Sequence, residues 1–417
     1  MSAIHVGHPP PIAPRTVHLP DHERALVHAA GMFAERSLAP NAARWERERL
    51  PLPRSVFQDY AALGLCALQV PAARGGRDAS YLCKIAVAEI MARTCMAATF
   101  ALNNAQGSVT RLAREGSEDQ ISRYLPALIS GALVCAPALT EPGVGSDVTA
   151  MTTLATRTAG GWRLNGIKAW ITNGAHADLL LLYAQTEPGS GPRGIASFWV
   201  DLHAPGAQRR APTPMIGGSA IGAADIVFTD MFVPDRDLAA QPGQAFKRAM
   251  TGITGARTHV AAMLNGIAAE CLDRAVDHAG ARQAFGQRLL DHQGLRWMLA
   301  DVATQLEASR LLTRRAADLI QQGHAAILEA SQAKSFATDM AGPAVATCMQ
   351  AMGAIGLIDE QPFARHLAAT RIAAYVDGTT EMQRDRIGLM LDQHYGRQSH
   401  HVGVDGAGVT HQEQGEI

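Results

Sequence analysis

The sequence predicts an α+β protein built as a helical block, a β block and a second helical block. Three observations carry this. Helical periodicity runs from about Asp21 to Leu133. Short alternating or β-branched runs then follow, separated by Gly, Pro, Asn and Asp. After Pro242 the helical period returns and persists. The blocks translate into an N-terminal helical domain at 21–134, a middle β-barrel or sandwich domain at 135–242 and a C-terminal four-helix bundle at 243–395. A flexible segment is expected at 1–20 and a disordered polar tail at 396–417.

In the first block, Glu23–Glu35 is rich in Ala and Leu and begins behind Asp21, a candidate cap. Ser55–Leu63 is a short amphipathic segment that stops at Gly64. Ser80–Leu112 is Ala- and Met-rich, long enough for one long helix or two buried ones, and Glu118–Ile129 follows with Gly131 as its stop signal. The predicted strands are Leu133–Leu139, Thr153–Thr158, Gly161–Ile171, Asp178–Gln185, Ile195–Leu202 and Ala224–Val233, and their spacing predicts a compact antiparallel arrangement. Four long helical segments complete the chain: Ala245–Gly280, Leu290–Gln322, Ala325–Gly353 and Ala364–Leu391.

Composition narrows the function classes. Lys plus Arg (37) nearly balances Asp plus Glu (38), so there is no electrostatic case for nucleic acid or a membrane surface. Apolar runs such as Leu179–Tyr183 are far too short to span a bilayer, and Met1–Pro20 does not read as a signal peptide. The six cysteines are scattered among apolar neighbours with no CxxC pair, which reads as buried reduced thiols. The sixteen histidines form no HExxH or comparable cluster, and His400-His401 lies in the polar tail. A cytoplasmic protein without a structural metal is expected.

Several motifs carry chemistry. Ala138-Leu139-Thr140-Glu141-Pro142-Gly143-Val144-Gly145-Ser146-Asp147 combines small residues and glycines, which let backbone N–H groups approach a planar ring or phosphate closely. Leu164-Asn165-Gly166-Ile167-Lys168-Ala169-Trp170-Ile171-Thr172-Asn173 contains Asn-Gly, a hairpin turn signal. Further on lie Arg282-Gln283-Ala284-Phe285-Gly286 with His292-Gln293, then Gln350-Ala351-Met352-Gly353-Ala354-Ile355-Gly356, and finally Tyr375-Val376-Asp377-Gly378-Thr379-Thr380-Glu381-Met382-Gln383-Arg384. Taken in this order, from about 21 to 395, they resemble the acyl-CoA dehydrogenase family.

The resemblance implies FAD as cofactor and the α,β-dehydrogenation of an acyl thioester, carried on CoA or on an acyl carrier protein. Electrons would pass to an electron-transferring flavoprotein. It places Leu139, Thr140, Ser146, Trp170, Ile171 and Thr172 at the flavin, with Ser146 also reaching the pantetheine or thioester end of the substrate. Arg282, Phe285, Gln293, Gln350, Gly353 and Ala354 would hold the adenosine diphosphate part of a flavin bound mainly by a neighbouring subunit, in a homodimer or homotetramer. Arg suits a diphosphate because its fork bonds two oxygens at once. Thr379 and Glu381 belong with the cofactor, and Arg257 and Gly378 with the substrate. The acyl pocket would be lined by the helix around Thr99–Asn104 and by residues beside the base.

One departure matters. The family's usual catalytic glutamate is Asp377 here, about 1.5 Å shorter in reach. Some members carry the base immediately before the arginine matched by Arg257, but that position is Ala256, so Asp377 is the one matched carboxylate. Val376 also replaces a tyrosine commonly found beside the base, and Ala354 replaces a glycine. Two other readings of the scaffold stay open: a flavin oxidase of the nitroalkane-oxidase type, which also uses an aspartate, and a catalytically altered flavin-binding scaffold.

Overall fold

The computed structural model describes residues 19–395; the expected flexible segment up to residue 18, the tail from 396 and His400-His401 lie outside them. The N-terminal block contains α1 (Asp21–Phe33), a π-helical turn (Ala34–Leu38), α2 (Ala39–Arg47), α3 (Arg54–Ala62), α4 (Tyr81–Ala92), α5 (Met96–Glu115) and α6 (Glu118–Ile129). The Ala/Met-rich stretch is thus two helices, broken at Arg93–Cys95. Ser117 and Gln120 form a capping box that starts α6. Ser80 caps α4, and its N–H and hydroxyl both donate to the buried Glu23 carboxylate at 2.6 Å, which pins the start of α4 to α1.

The middle block is one eight-stranded sheet: β1 (Cys135–Ala138), β2 (Leu154–Thr158), β3 (Gly161–Ile171), β4 (Leu179–Gln185), β5 (Ile195–Asp201), β6 (Ala207–Arg209), β7 (Ala224–Pro234) and β8 (Leu238–Ala240). The strand order is β6-β7-β3-β2-β4-β5-β8, with β1 also on β4. The antiparallel expectation needs correction, because β1 and β2 both run parallel to β4. The loop from 139 to 153 crosses between them, which local periodicity could not reveal. Strands β6 and β8, three residues each, are too short to leave a pattern. The Asn165-Gly166 pair is also not a hairpin turn. It lies inside β3, where the register slips between Leu164 and Gly166, and Gly166 takes φ +143°. A Cβ there would lie 2.7 Å from the Thr153 Cα.

Strand β4 is buried on both faces. Leu179, Leu181 and Tyr183 join the core shared with α5 and α6, while Leu180, Leu182 and Ala184 fill the interior of the sheet domain. A third core merges the N-terminal helices with the C-terminal bundle.

That bundle contains α7 (Gln244–Ala281), a small hairpin β9 (Gln283–Ala284) and β10 (Gln287–Arg288), α8 (Gln293–Gln321), α9 (Ile327–Met352), α10 (Phe363–Tyr375), α11 (Thr380–Leu389) and α12 (Leu391–Tyr395). The predicted helix Ala364–Leu391 is broken at Val376–Thr379, where Asp377 and Gly378 both have positive φ. By length and apolar composition Ile327–Leu357 is sufficient to cross a bilayer, contrary to the expectation from shorter runs. Here α9 packs against α7, α8, α10 and α11. All six cysteines are free and buried.

Helices α4 and α7 approach closely at Gly266, where a Cβ would sit 2.2 Å from the Glu89 carbonyl oxygen. Gly266→Ala is therefore expected to cost about 1–3 kcal/mol by overpacking, measured by urea unfolding; an unchanged midpoint would mean that the helices separate without penalty.

Candidate active site

The break between α10 and α11 positions Asp377. Its φ is +54°, in the left-handed region that aspartate tolerates better than most side chains. The turn is held from three sides. Buried Lys334, on α9, donates to the carbonyls of both Val376 and Gly378. Buried Arg257, on α7, donates from Nε to the Asp377 carbonyl at 3.1 Å. Gln383 donates to the Gly378 and Thr379 carbonyls at 2.9 and 3.2 Å. The carbonyls of the turn between α10 and α11 are satisfied in this way. Gly378 is required twice over: its φ is +89°, and a Cβ would lie 3.0 Å from Gln383 Nε2.

Among the described residues neither the Asp377 carboxylate nor its backbone N–H makes a hydrogen bond. The carboxyl is partly accessible yet enclosed enough that desolvation pushes its pKa up, against the charges of Lys334 and Arg257. Burial lowers Lys334 to about 8 and Arg257 to about 10, so both remain cationic at neutral pH. Such an arrangement leaves a base with its proton-accepting oxygens free and a donor N–H beside it.

The second cluster is built by loop 139–153 and the end of β3. Lys168 and Glu141, both fully buried, pair at 2.8 Å. Lys168 also donates to the Leu139 carbonyl, and Glu141 accepts from the backbone of Thr152 and Thr153. Burial pushes the Glu141 carboxyl up, but Lys168 and these donors outweigh it and hold it at about 2. The Ala169 N–H donates to the Thr140 carbonyl, bringing Leu139 and Thr140 beside Trp170 and Thr172. A second register slip in β3, between Lys168 and Ile171, gives Trp170 φ +56° and turns its side chain outward, 55% exposed. The same slip leaves the Ile171 side chain inside the sheet core, so a contact of Ile171 with the cradle would run through its backbone. Asn173 donates to the Ala101 carbonyl of α5 at 2.8 Å and docks this cluster on the helix that carries Thr99–Asn104. Ser146 lies exposed on the loop, and Cβ atoms at Gly143 or Gly145 would meet nothing within 4 Å. An outward indole beside an open, glycine-lined loop fits a planar cofactor.

The third set lies on the surface of the bundle. The β9–β10 hairpin presents Arg282 and Phe285, the latter 97% exposed at φ +53°, and His292 anchors it through the Ala284 carbonyl at 3.1 Å. Gln293, Gln350, Gly353 and Ala354 are exposed at helix ends of the bundle. No hydrogen bond or ion pair among the described residues joins this set to the Trp170 cluster. Thr379 caps α11 by accepting from the Met382 N–H, and Glu381 lies exposed in its first turn. The roles of Glu141, Lys168, Asn173, Lys334 and Gln383 escaped sequence reading. A signal existed: the chain has four lysines, and Lys84, Lys168 and Lys334 are buried.

Comparison with known proteins places these clusters in context. Family models described as the N-terminal, middle and C-terminal domains of acyl-CoA dehydrogenase match residues 20–132, 136–231 and 243–391. The short/branched chain specific acyl-CoA dehydrogenase of Rattus norvegicus is 33% identical over 90% of this chain and 87% of its own. Butyryl-CoA dehydrogenase from Megasphaera elsdenii matches with a TM-score of 0.85 and 29% identity, covering 90% of this chain and 99% of that one. A structure described as PigA with FAD and proline matches with a TM-score of 0.83 and 26% identity, covering 90% and 98%.

Lys168→Met leaves Glu141 buried without its cation, a change that typically costs about 3–5 kcal/mol. Urea unfolding is expected to show that loss at neutral pH. Because the Glu141 pKa falls on folding from 4.5 to about 2, its contribution is full above pH 4.5 and disappears as pH drops toward 2. An equal deficit at pH 2 and pH 7 would contradict the pairing.

Proposed function

The chain belongs to the acyl-CoA dehydrogenase family, FAD-dependent oxidoreductases acting on CH–CH groups, and we propose that it α,β-dehydrogenates an acyl thioester with Asp377 as the base. The observation that carries this reading is the Asp377 turn, fixed by its carbonyls while its carboxylate and N–H make no hydrogen bond among the described residues. The carboxylate takes the α-proton. The Asp377 N–H donates to the thioester carbonyl, lowering the energy of the enolate-like charge that develops as the proton leaves. Lys334 and Arg257 favour the ionised carboxylate against desolvation. When bound, FAD would supply the acceptor for the β-hydride, with an electron-transferring flavoprotein as the onward electron acceptor. Leu139, Thr140, Trp170 and Thr172 would flank its ring, with CoA or an acyl carrier protein as the carrier of the acyl group.

We further propose a homodimer or homotetramer in which Arg282, Phe285, Gln293 and Gln350 serve a neighbouring subunit's flavin. The support is the exposure of this set on the bundle surface, together with the apolar residues Phe285, Trp297, Leu311 and Leu357, all at least 60% exposed. Light scattering should find an oligomer, and a fully flavinated monomer would refute it.

The decisive experiment is anaerobic flavin reduction by a panel of acyl-CoA and acyl-carrier-protein thioesters. Asp377→Asn should retain flavin and lose about 10²–10⁴-fold in rate. The acid limb of kcat/KM should lie above the ordinary aspartate range of about 3.9, since burial raises the Asp377 pKa and the base must be ionised. A full rate in Asp377→Asn would exclude this base, and rapid reoxidation of the reduced protein by oxygen would favour oxidase chemistry.

A further inference from the structure

Of the three buried lysines, two have partners: Lys168 pairs with Glu141, and Lys334 bonds two carbonyls. Lys84, on α4, is 4% exposed and has neither a hydrogen bond nor an ion pair among the described residues. An isolated buried ammonium is costly, and burial together with the nearby charge of Arg114 lowers its pKa to about 7. Nothing in the folding of α4 calls for a charge there.

Its surroundings connect it to the site. Tyr81, one turn earlier on α4, donates to the Gly255 carbonyl of α7 at 2.6 Å, and its hydroxyl lies within the field of Asp377. The Tyr81 ring packs on His259 of α7, with centroids 5.8 Å apart. His259 in turn lies within the field of Lys84. Asn103 of α5 donates to His259 Nδ1, and burial keeps this ring neutral, so its proton is assigned to Nε2. No bond among the described residues uses that N–H. One turn along α5 from Asn103, Gly107 borders open space. A row of side chains thus leads from the base through Tyr81 and His259 to Lys84, between α4, α5 and α7. It ends in two unused donors, one of them cationic.

Resting on the thioester reading above, we propose that the acyl group of the substrate ends in a carboxylate, received by the Lys84 ammonium and the His259 Nε2–H. An anion there supplies the partner that the fold omits and restores the lysine to its charged form. Neutral hydrocarbon would leave both donors desolvated and unpaired, so this pair of donors discriminates against it as well as selecting for the acid.

The test uses the FAD-loaded protein with glutaryl and valeryl thioesters, each on CoA and on acyl carrier protein, read by anaerobic flavin reduction and by perturbation of the flavin spectrum on binding. The wild type should favour glutaryl over valeryl, and Lys84→Met should lower the glutaryl-to-valeryl ratio of kcat/KM by about 100-fold. Lys84→Gln should narrow the same ratio, which guards against a fold defect in one variant. Removal of an unpaired buried charge should leave the melting temperature of Lys84→Met no lower than that of the wild type. Equal use of both acyl groups by the wild type, or a melting temperature loss with an unchanged ratio, overturns the carboxylate subsite and leaves the dehydrogenase reading standing. Failure of every thioester to reduce the flavin or perturb its spectrum removes both.

Discussion

A single buried ammonium organises the catalytic end of the molecule. Lys334 projects from α9 and donates to the two carbonyls that flank Asp377. A charged donor in a low-dielectric interior bonds strongly to carbonyl oxygens, and these two lie in the turn between α10 and α11. The clamp converts what local sequence would continue as helix into a fixed turn. Arg257 reaches the same turn from α7 and Gln383 from α11, so three helices of the bundle agree on where the carboxylate sits.

The same device recurs in the sheet domain. Lys168 and Glu141 do not reach outward; they hold the loop after β1 against β3, and the register slip beyond Lys168 then turns Trp170 out of the sheet. In both places charge inside the protein is used on backbone, and the groups facing the reaction are left unencumbered. That is how a site holds its geometry without occupying its own hydrogen-bonding capacity. Asn173 docks the β3 end on α5, whose Asn103 in turn bonds His259 of α7.

Within this frame the aspartate at 377 has a local physical rationale. The turn demands positive φ, which aspartate accepts at low cost, and its short stem keeps the carboxylate close to that rigid backbone. What the shorter base gives up in reach, a substrate held at both ends can offset: at its thioester by the Asp377 N–H and at its far end by the donors of α4 and α7.

By itself the sequence determined the three-block order, most element boundaries and the family, because periodicity, capping residues and ten-residue motifs are local properties. Gly161–Ile171 and Glu118–Ile129 are observed with the bounds that local pattern predicts. It also placed Asp377 in a catalytic signature, although its periodicity ran a helix straight through that signature. Only the tertiary structure decided the break, since the donor that stabilises it lies 42 residues away in Lys334. It likewise decided that β1 and β2 share the same strand in parallel, that Asn165-Gly166 is a bulge, and that Ile171 faces the core while Trp170 faces out. Each depends on a partner distant in sequence. Lys84, without a partner among the described residues, is the limiting case: a lysine in an apolar helix is visible in the sequence, but what pairs with it is known only once its neighbours have been placed.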